Sequence, residues 1–249
     1  MKIQFIIVGW HFDKYPELIQ GLHELQQNSP KDINVFWSCH KEPSLNIKEK
    51  FEYKIFPNLG LEDGAYQQAL DYLDISDDTI LFLMHDDLIV KDWSFIDICL
   101  ERLQRGYAFI GNGINYPAPI SPNKIYDEKY LPQNVLNVCK PETKHFFQKG
   151  GLAYTFRESF ICTLRGNLRA IHDFEIIWKN PKEGTPIGPM GNMQQTMLGW
   201  KITQVFGIKK ISYLSNTYRD SKWLYECKRG SSPHWIISNK PSRGINHKI

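Results

Sequence analysis

The chain has 249 residues, a formal net charge of +3, 42% hydrophobic and 13% aromatic residues. That is material for one α/β domain with a proper core, and a basic excess that falls mainly after residue 200, without a known binding motif, argues against a nucleic-acid partner. Five cysteines without a CxxC pair exclude a disulfide framework or zinc knuckle and point to reduced thiols in a cytoplasmic protein; residues 3–8 are too short for a secretory leader, and no apolar run nears the ~20 residues of a spanning helix.

The first half alternates strand and helix signals. Residues 2–8 (KIQFIIV) read as a buried strand stopped by Gly9. Residues 16–26 follow as a helix, with Pro16 in its first turn and Tyr15, Leu18, Ile19, Leu22 and Leu25 on one face. Strands are expected at 34–38 and 53–56, then a helix at 62–73 with Ala65, Tyr66, Ala69, Leu70 and Leu73 at helical spacing. Residues 79–84 (TILFLM) form a continuous apolar run, as for a central strand buried on both faces. A helix at 94–103 capped by Asp92 or Ser94 and a strand at 107–110 complete this half.

The second half is less regular. Pro117, Pro119, Pro122 and Pro132 mark a long loop region, and Gly150-Gly151 precedes a strand at 152–156. Residues 180–190 (NPKEGTPIGPM) read as a loop, followed by a helix at 192–200 and a strand at 202–206. Loops this long are usually functional, which suits an acceptor site or lid. From Trp200 onward ten Lys or Arg face only Asp220 and Glu226, so this segment carries +8 and the first 199 residues −5. A basic C-terminal segment suits a diphosphate, an anionic acceptor or peripheral contact with an acidic membrane surface.

The sharpest chemical signal is residues 79–90 (TILFLMHDDLIV), where Asp86 and Asp87 stand at the end of the central strand. Burying two acids there costs several kcal/mol unless a partner neutralises them. A hard cation bound to substrate phosphate, Mg²⁺ or Mn²⁺, would do so. The other reading is that the acids cap their own turn. Upstream, Asn58-Leu59-Gly60 and Gly64 sit between a strand and a helix start, where glycines allow a ligand close to the backbone and the helix N-terminus favours phosphate or ribose oxygens.

In this order, Asn58-Leu59-Gly60 through Gln68, then ILFLMHDD at 80–87, resembles glycosyltransferase family 2 and its GT-A relatives, and the strand end Val8-Gly9-Trp10 looks like the family's start. The resemblance covers residues 2–115. It implies an α/β, GT-A-like three-layer sandwich with a mixed, mostly parallel central sheet, residues 1–115 binding the nucleotide and 116–249 the acceptor. It implies a metal-dependent glycosyltransferase that moves a sugar from a nucleotide-sugar donor to a hydroxyl of a glycan or lipid-linked acceptor, as in surface-polysaccharide synthesis. Asp87 would bind Mn²⁺ or Mg²⁺ across the donor diphosphate, and Asp86 would hold the ribose or assist the metal. His85 would stand behind them. Val8, Trp10, Asn58, Gly60 and Gly64 would border the nucleotide.

The sequence departs from that pattern twice. After the second strand only Glu42 is acidic, and residues 191–195 (GNMQQ) lack the late Glu-Asp pair that supplies the family's base. Asp173 and Glu175 are the nearest candidate bases. Arg229 could clamp phosphate, and His234 could be a late metal ligand. A nucleotidyltransferase of related fold is the alternative, although residues 9–14 (GWHFDK) lack its Gly-rich basic loop; a catalytically degenerate glycan- or nucleotide-binding domain is another.

Overall fold

Strand β1 (Lys2–Gly9) sends alternate side chains into two separate cores: Ile3, Phe5 and Ile7 to one face, Ile6 and Val8 to the other. A strand apolar on both faces must be central, and in the computed structural model β1 lies between β2 (Asp32–Cys39) and β4 (Ile80–His85), parallel to both. The structure describes residues 1–9, 15–113, 117–120, 151–154, 159–174, 187–215 and 221–226.

The main sheet has seven strands in the order β10-β6-β9-β4-β1-β2-β3. Strand β3 (Glu52–Ile55) pairs in parallel with β2, and β9 (Phe160–Leu164) runs antiparallel between β4 and β6 (Phe109–Gly113). Strand β10 (Ile211–Ser215) closes the other edge, parallel to β6. Two antiparallel ribbons stand apart: β5 (Leu88–Val90) with β11 (Leu224–Glu226), and β7 (Pro117–Ile120) with β8 (Gly151–Tyr154).

Helices cover both faces. On one, α1 (Pro16–Asn28) buries Leu18, Ile19 and Leu22, α2 (Leu45–Lys50) buries Ile47, and α4 (Phe95–Gln104) buries Phe95, Ile96, Cys99 and Leu100. There Phe5 stacks on Phe82 at 4.7 Å. On the other, α3 (Leu61–Tyr72), α5 (Arg165–Ala170) and α6 (Ile187–Phe206) supply Tyr66, Ala69, Leu168, Leu198 and Ile202. The result is the expected three-layer α/β sandwich with a mixed, mostly parallel sheet. Among the described residues, no helix is long and apolar enough to cross a membrane.

Three expectations change. Residues 202–206 are not a strand but the last turns of α6, because Leu198 and Ile202, four residues apart, bury the same helical face. The expected strand 107–110 is β6, shifted to reach Gly113, so Asn112 lies within the sheet. The elements α2, α5, β5, β9, β10 and β11 were not foreseen, and Pro117–Ile120, expected within a loop, forms β7 by pairing with β8.

Candidate functional site

The chain steps outward from β1 to β2 and β3, then crosses back under α3 on the opposite face to reach β4 beside β1. The strand order therefore reverses between β1 and β4, and in open α/β sheets ligands bind outside the carboxyl ends at such a reversal. The acid pair stands at this place. The last rungs hold it there: Asp86 N–H donates to the Val8 carbonyl and His85 N–H to the Ser159 carbonyl, both at 3.0 Å. Asp86 and Asp87 are 6% and 8% exposed. Two adjacent carboxylates buried this deeply repel each other unless a cation joins them.

His85 Nδ1 lies 3.8 Å from Asp87 Oδ1. The imidazole is stacked on Tyr66 at 6.1 Å, and Tyr66 leans on Phe174 at 5.4 Å. An aromatic column thus fixes His85 from the α3 side. On the β2 side, Cys39 ends its strand fully buried, and burial, then Asp86 and then Glu42, push its thiol up to about 12. The thiol is neutral, and Asp86 is close enough to the end of β2 to act on it.

The β3–α3 loop forms the next wall. Phe56 N–H donates to the Cys39 carbonyl at 2.8 Å, and His40 Nδ1 is 3.3 Å from the Phe56 carbonyl. Burial lowers the His40 pKa, with that carbonyl contact and Glu62 opposing. A neutral His40 donating through Nδ1 keeps Nε2 as an acceptor. Asn58 is half-buried in this loop. Gly60 precedes α3 at φ 73, a left-handed conformation that favours glycine, and its carbonyl accepts from Gly64 N–H at 3.0 Å. Ser38 Oγ donates to the Ala65 carbonyl at 2.9 Å and ties α3 to β2. The first turn of α3 also carries Asp63, 4% exposed, whose buried Oδ1 has no hydrogen-bond partner among the described residues. Burial first, then Glu62, push this carboxyl up to about 8 against Lys201.

The structure therefore brings Val8, Asp86, Asp87, Asn58, Gly60 and Gly64 to one edge of the fold. Asp173 is placed differently. Both its carboxylate oxygens accept from Arg165, the Nη2–Oδ2 contact at 2.9 Å, and its carbonyl accepts from Lys201 Nζ at 2.6 Å. Arg165 is anchored at the amino end of β4, where its N–H donates to the Thr79 carbonyl at 2.9 Å. That pair engages the Asp173 carboxylate, while the adjacent Phe174 packs on Tyr66, the ring that His85 stacks on. Trp10, Glu175, Arg229 and His234 lie outside the described residues.

Among the described residues no group of three or more His, Cys, Asp or Glu side chains converges as a ready-made metal cage. Asp86 and Asp87 fit a more open arrangement, in which Mg²⁺ or Mn²⁺ takes one or two carboxylates and completes its shell with substrate phosphate and water. Sequence reasoning missed Asp63, His40 and Asn112. Asp63 is one polar residue in an amphipathic helix, and only the tertiary structure shows that it is buried.

No family model and no curated protein matches this chain. Solved structures match at a distance. The chain is similar to mannosyl-3-phosphoglycerate synthase from Rubrobacter xylanophilus, with 10% identity and a TM-score of 0.49 over 86% of this chain and 65% of that one. It is similar to a CMP:2-keto-3-deoxy-manno-octonic acid synthetase complexed with CTP, with 10% identity and a TM-score of 0.45 over 86% and 90%. The galactosyltransferase LgtC, in complex with donor and acceptor sugar analogues, gives 9% identity and a TM-score of 0.40 over 84% and 72%.

Proposed function

We propose that this protein is a metal-dependent glycosyltransferase that moves a sugar from a nucleotide-diphosphate donor to a hydroxyl of a glycan or lipid-linked acceptor. The observation that carries this reading is the pair of buried carboxylates, Asp86 and Asp87, tied to Val8 where the strand order reverses. Mn²⁺ or Mg²⁺, when bound, supplies Lewis-acid stabilisation of the leaving diphosphate. Asp87 and Asp86 hold the cation, with His85 braced between Asp87 and Tyr66. Residues 1–115 serve the donor, with Asn58, Gly60, Gly64 and Val8 bordering the nucleotide, and residues 116–249 serve the acceptor.

Asp173 and Glu175 are the carboxylates proposed to take the acceptor's proton. Asp173 can do so only on releasing Arg165. Asp87→Asn tests the central claim. Titration of UDP, GDP, CDP and ADP with Mn²⁺ present is expected to show one preferred diphosphate, bound roughly a hundredfold or more weakly by the variant or after chelation, in line with the several kcal/mol of such a contact. Equal binding by wild type and variant, with unchanged thermal unfolding, would falsify the proposal.

A further inference from the structure

Strand β6 ends on Asn112 and Gly113 at the same edge of the sheet as Asp86. Asn112 is 5% exposed, and both Nδ2 and Oδ1 of its amide are buried without a hydrogen-bond partner among the described residues. An amide offers two donors and two lone pairs. Leaving a buried polar group unmade costs about 1–3 kcal/mol. The described residues around it give no local reason for that cost. Continuing the register opposes Asn112 to Leu214 on β10 and Phe160 on β9, both members of the α1/α4 core along with Ile110. A leucine here would leave no polar atom unpaired. The neighbours Gly111 and Gly113 add no side chain of their own to the strand on either side of the amide.

The position relative to the acid pair is set by the sheet. Met84 pairs with Phe160, and Phe160 lies opposite Asn112 by the β6–β9 register, so two strand spacings, about 10 Å, separate β6 from β4 at this level. Asp86 follows Met84 by two residues and acts on Cys39, which belongs to the same core as Leu214 and Phe160. The acid pair and the amide thus share one edge of the sheet, on opposite sides of β9. With the diphosphate at Asp86 and Asp87 and the nucleoside over β1 and β2, the transferred sugar falls toward β9 and β6. A phosphate ester and a pyranose ring span that separation.

We propose that Asn112 binds the sugar of the nucleotide-sugar donor, Nδ2 donating to one ring hydroxyl and Oδ1 accepting from its neighbour. This rests on the glycosyltransferase reading. Two vicinal hydroxyls match the amide because each both donates and accepts, whereas a phosphate would satisfy Nδ2 alone and a cation Oδ1 alone. The amide is thus a specificity residue for the sugar.

Wild type, Asn112→Ala and Asn112→Leu are titrated, with Mn²⁺ present, with UDP and GDP and with UDP-glucose, UDP-galactose and GDP-mannose. One sugar conjugate is expected to bind the wild type more tightly than its parent diphosphate. Both variants are expected to lose roughly tenfold of that increment, two hydrogen bonds' worth, while binding the parent diphosphate unchanged. Asn112→Leu is also expected to melt no lower than wild type. An increment that survives, or none in the wild type, overturns the assignment to the sugar. So does parallel loss of conjugate and diphosphate, which would place the amide on the nucleobase or in the scaffold. Failure of every diphosphate to bind the wild type overturns the glycosyltransferase reading itself.

Discussion

Replacing Asp63 by asparagine is expected to change how stability depends on pH. The carboxyl is buried at 4% exposure, and its pKa stands at about 8 against the ordinary 3.8, with burial the main cause, Glu62 adding to it and Lys201 opposing. Below pH 4 both folded and unfolded chains hold the proton, and the group contributes nothing. Between pH 4 and 8 the folded protein keeps a proton that the unfolded chain releases. Stability therefore falls as pH rises, by about 1.4 kcal/mol per pH unit. At pH 7 the wild type has lost about 4 kcal/mol from this group relative to pH 4. Above pH 8 both states are charged and the slope ends. The substituted amide cannot ionise, and at pH 7 Lys201 faces a neutral group in either protein. Urea unfolding of the ligand-free protein at pH 5, 6, 7 and 8 measures the difference between the two, which cancels every other titrating group. The variant should gain on the wild type by about 4 kcal/mol from pH 5 to 8. Parallel curves would refute the claim that Asp63 is buried and protonated.

Two further substitutions probe the packing. A Cβ on Gly21 would stand 2.6 Å from Trp93 Cζ2, so Gly21→Ala must displace that indole between α1 and α4; a loss of about 1–3 kcal/mol in denaturant unfolding is expected. Asp173→Ala leaves Arg165, 4% exposed, without its carboxylate, and should cost about 3–5 kcal/mol by the same assay. If Asp173 is also the base, kcat falls at temperatures where that variant is still fully folded.

Long-period signals were legible in the sequence because they are local. The alternation in β1, the apolar run of β4 and the helical spacing of α1 and α3 each lie within one segment and name the face they bury. The acid pair was legible for the same reason: carboxylates that interrupt a central strand are conspicuous without a partner in view. Strand β5 was hidden because its three residues gain meaning only by pairing with β11, more than 130 residues later. Strand β9 was hidden because five residues, FICTL, carry no periodicity until β4 and β6 flank them. Residues 202–206 look like a strand by composition, and only the helical partner Leu198 decides otherwise.

Sequence alone determined the class of fold, the central position of β1 and β4, and the carboxylates that close β4, since each follows from the hydrophobicity of adjoining residues. Tertiary structure alone decided the remainder. It tied Asp86 to the end of β1, paired Asp173 with Arg165, sank Asp63 beside Lys201 and left the Asn112 amide unmatched inside the edge of the sheet. Burial and hydrogen-bond partnership are relations between segments far apart in the chain, so no local pattern encodes them.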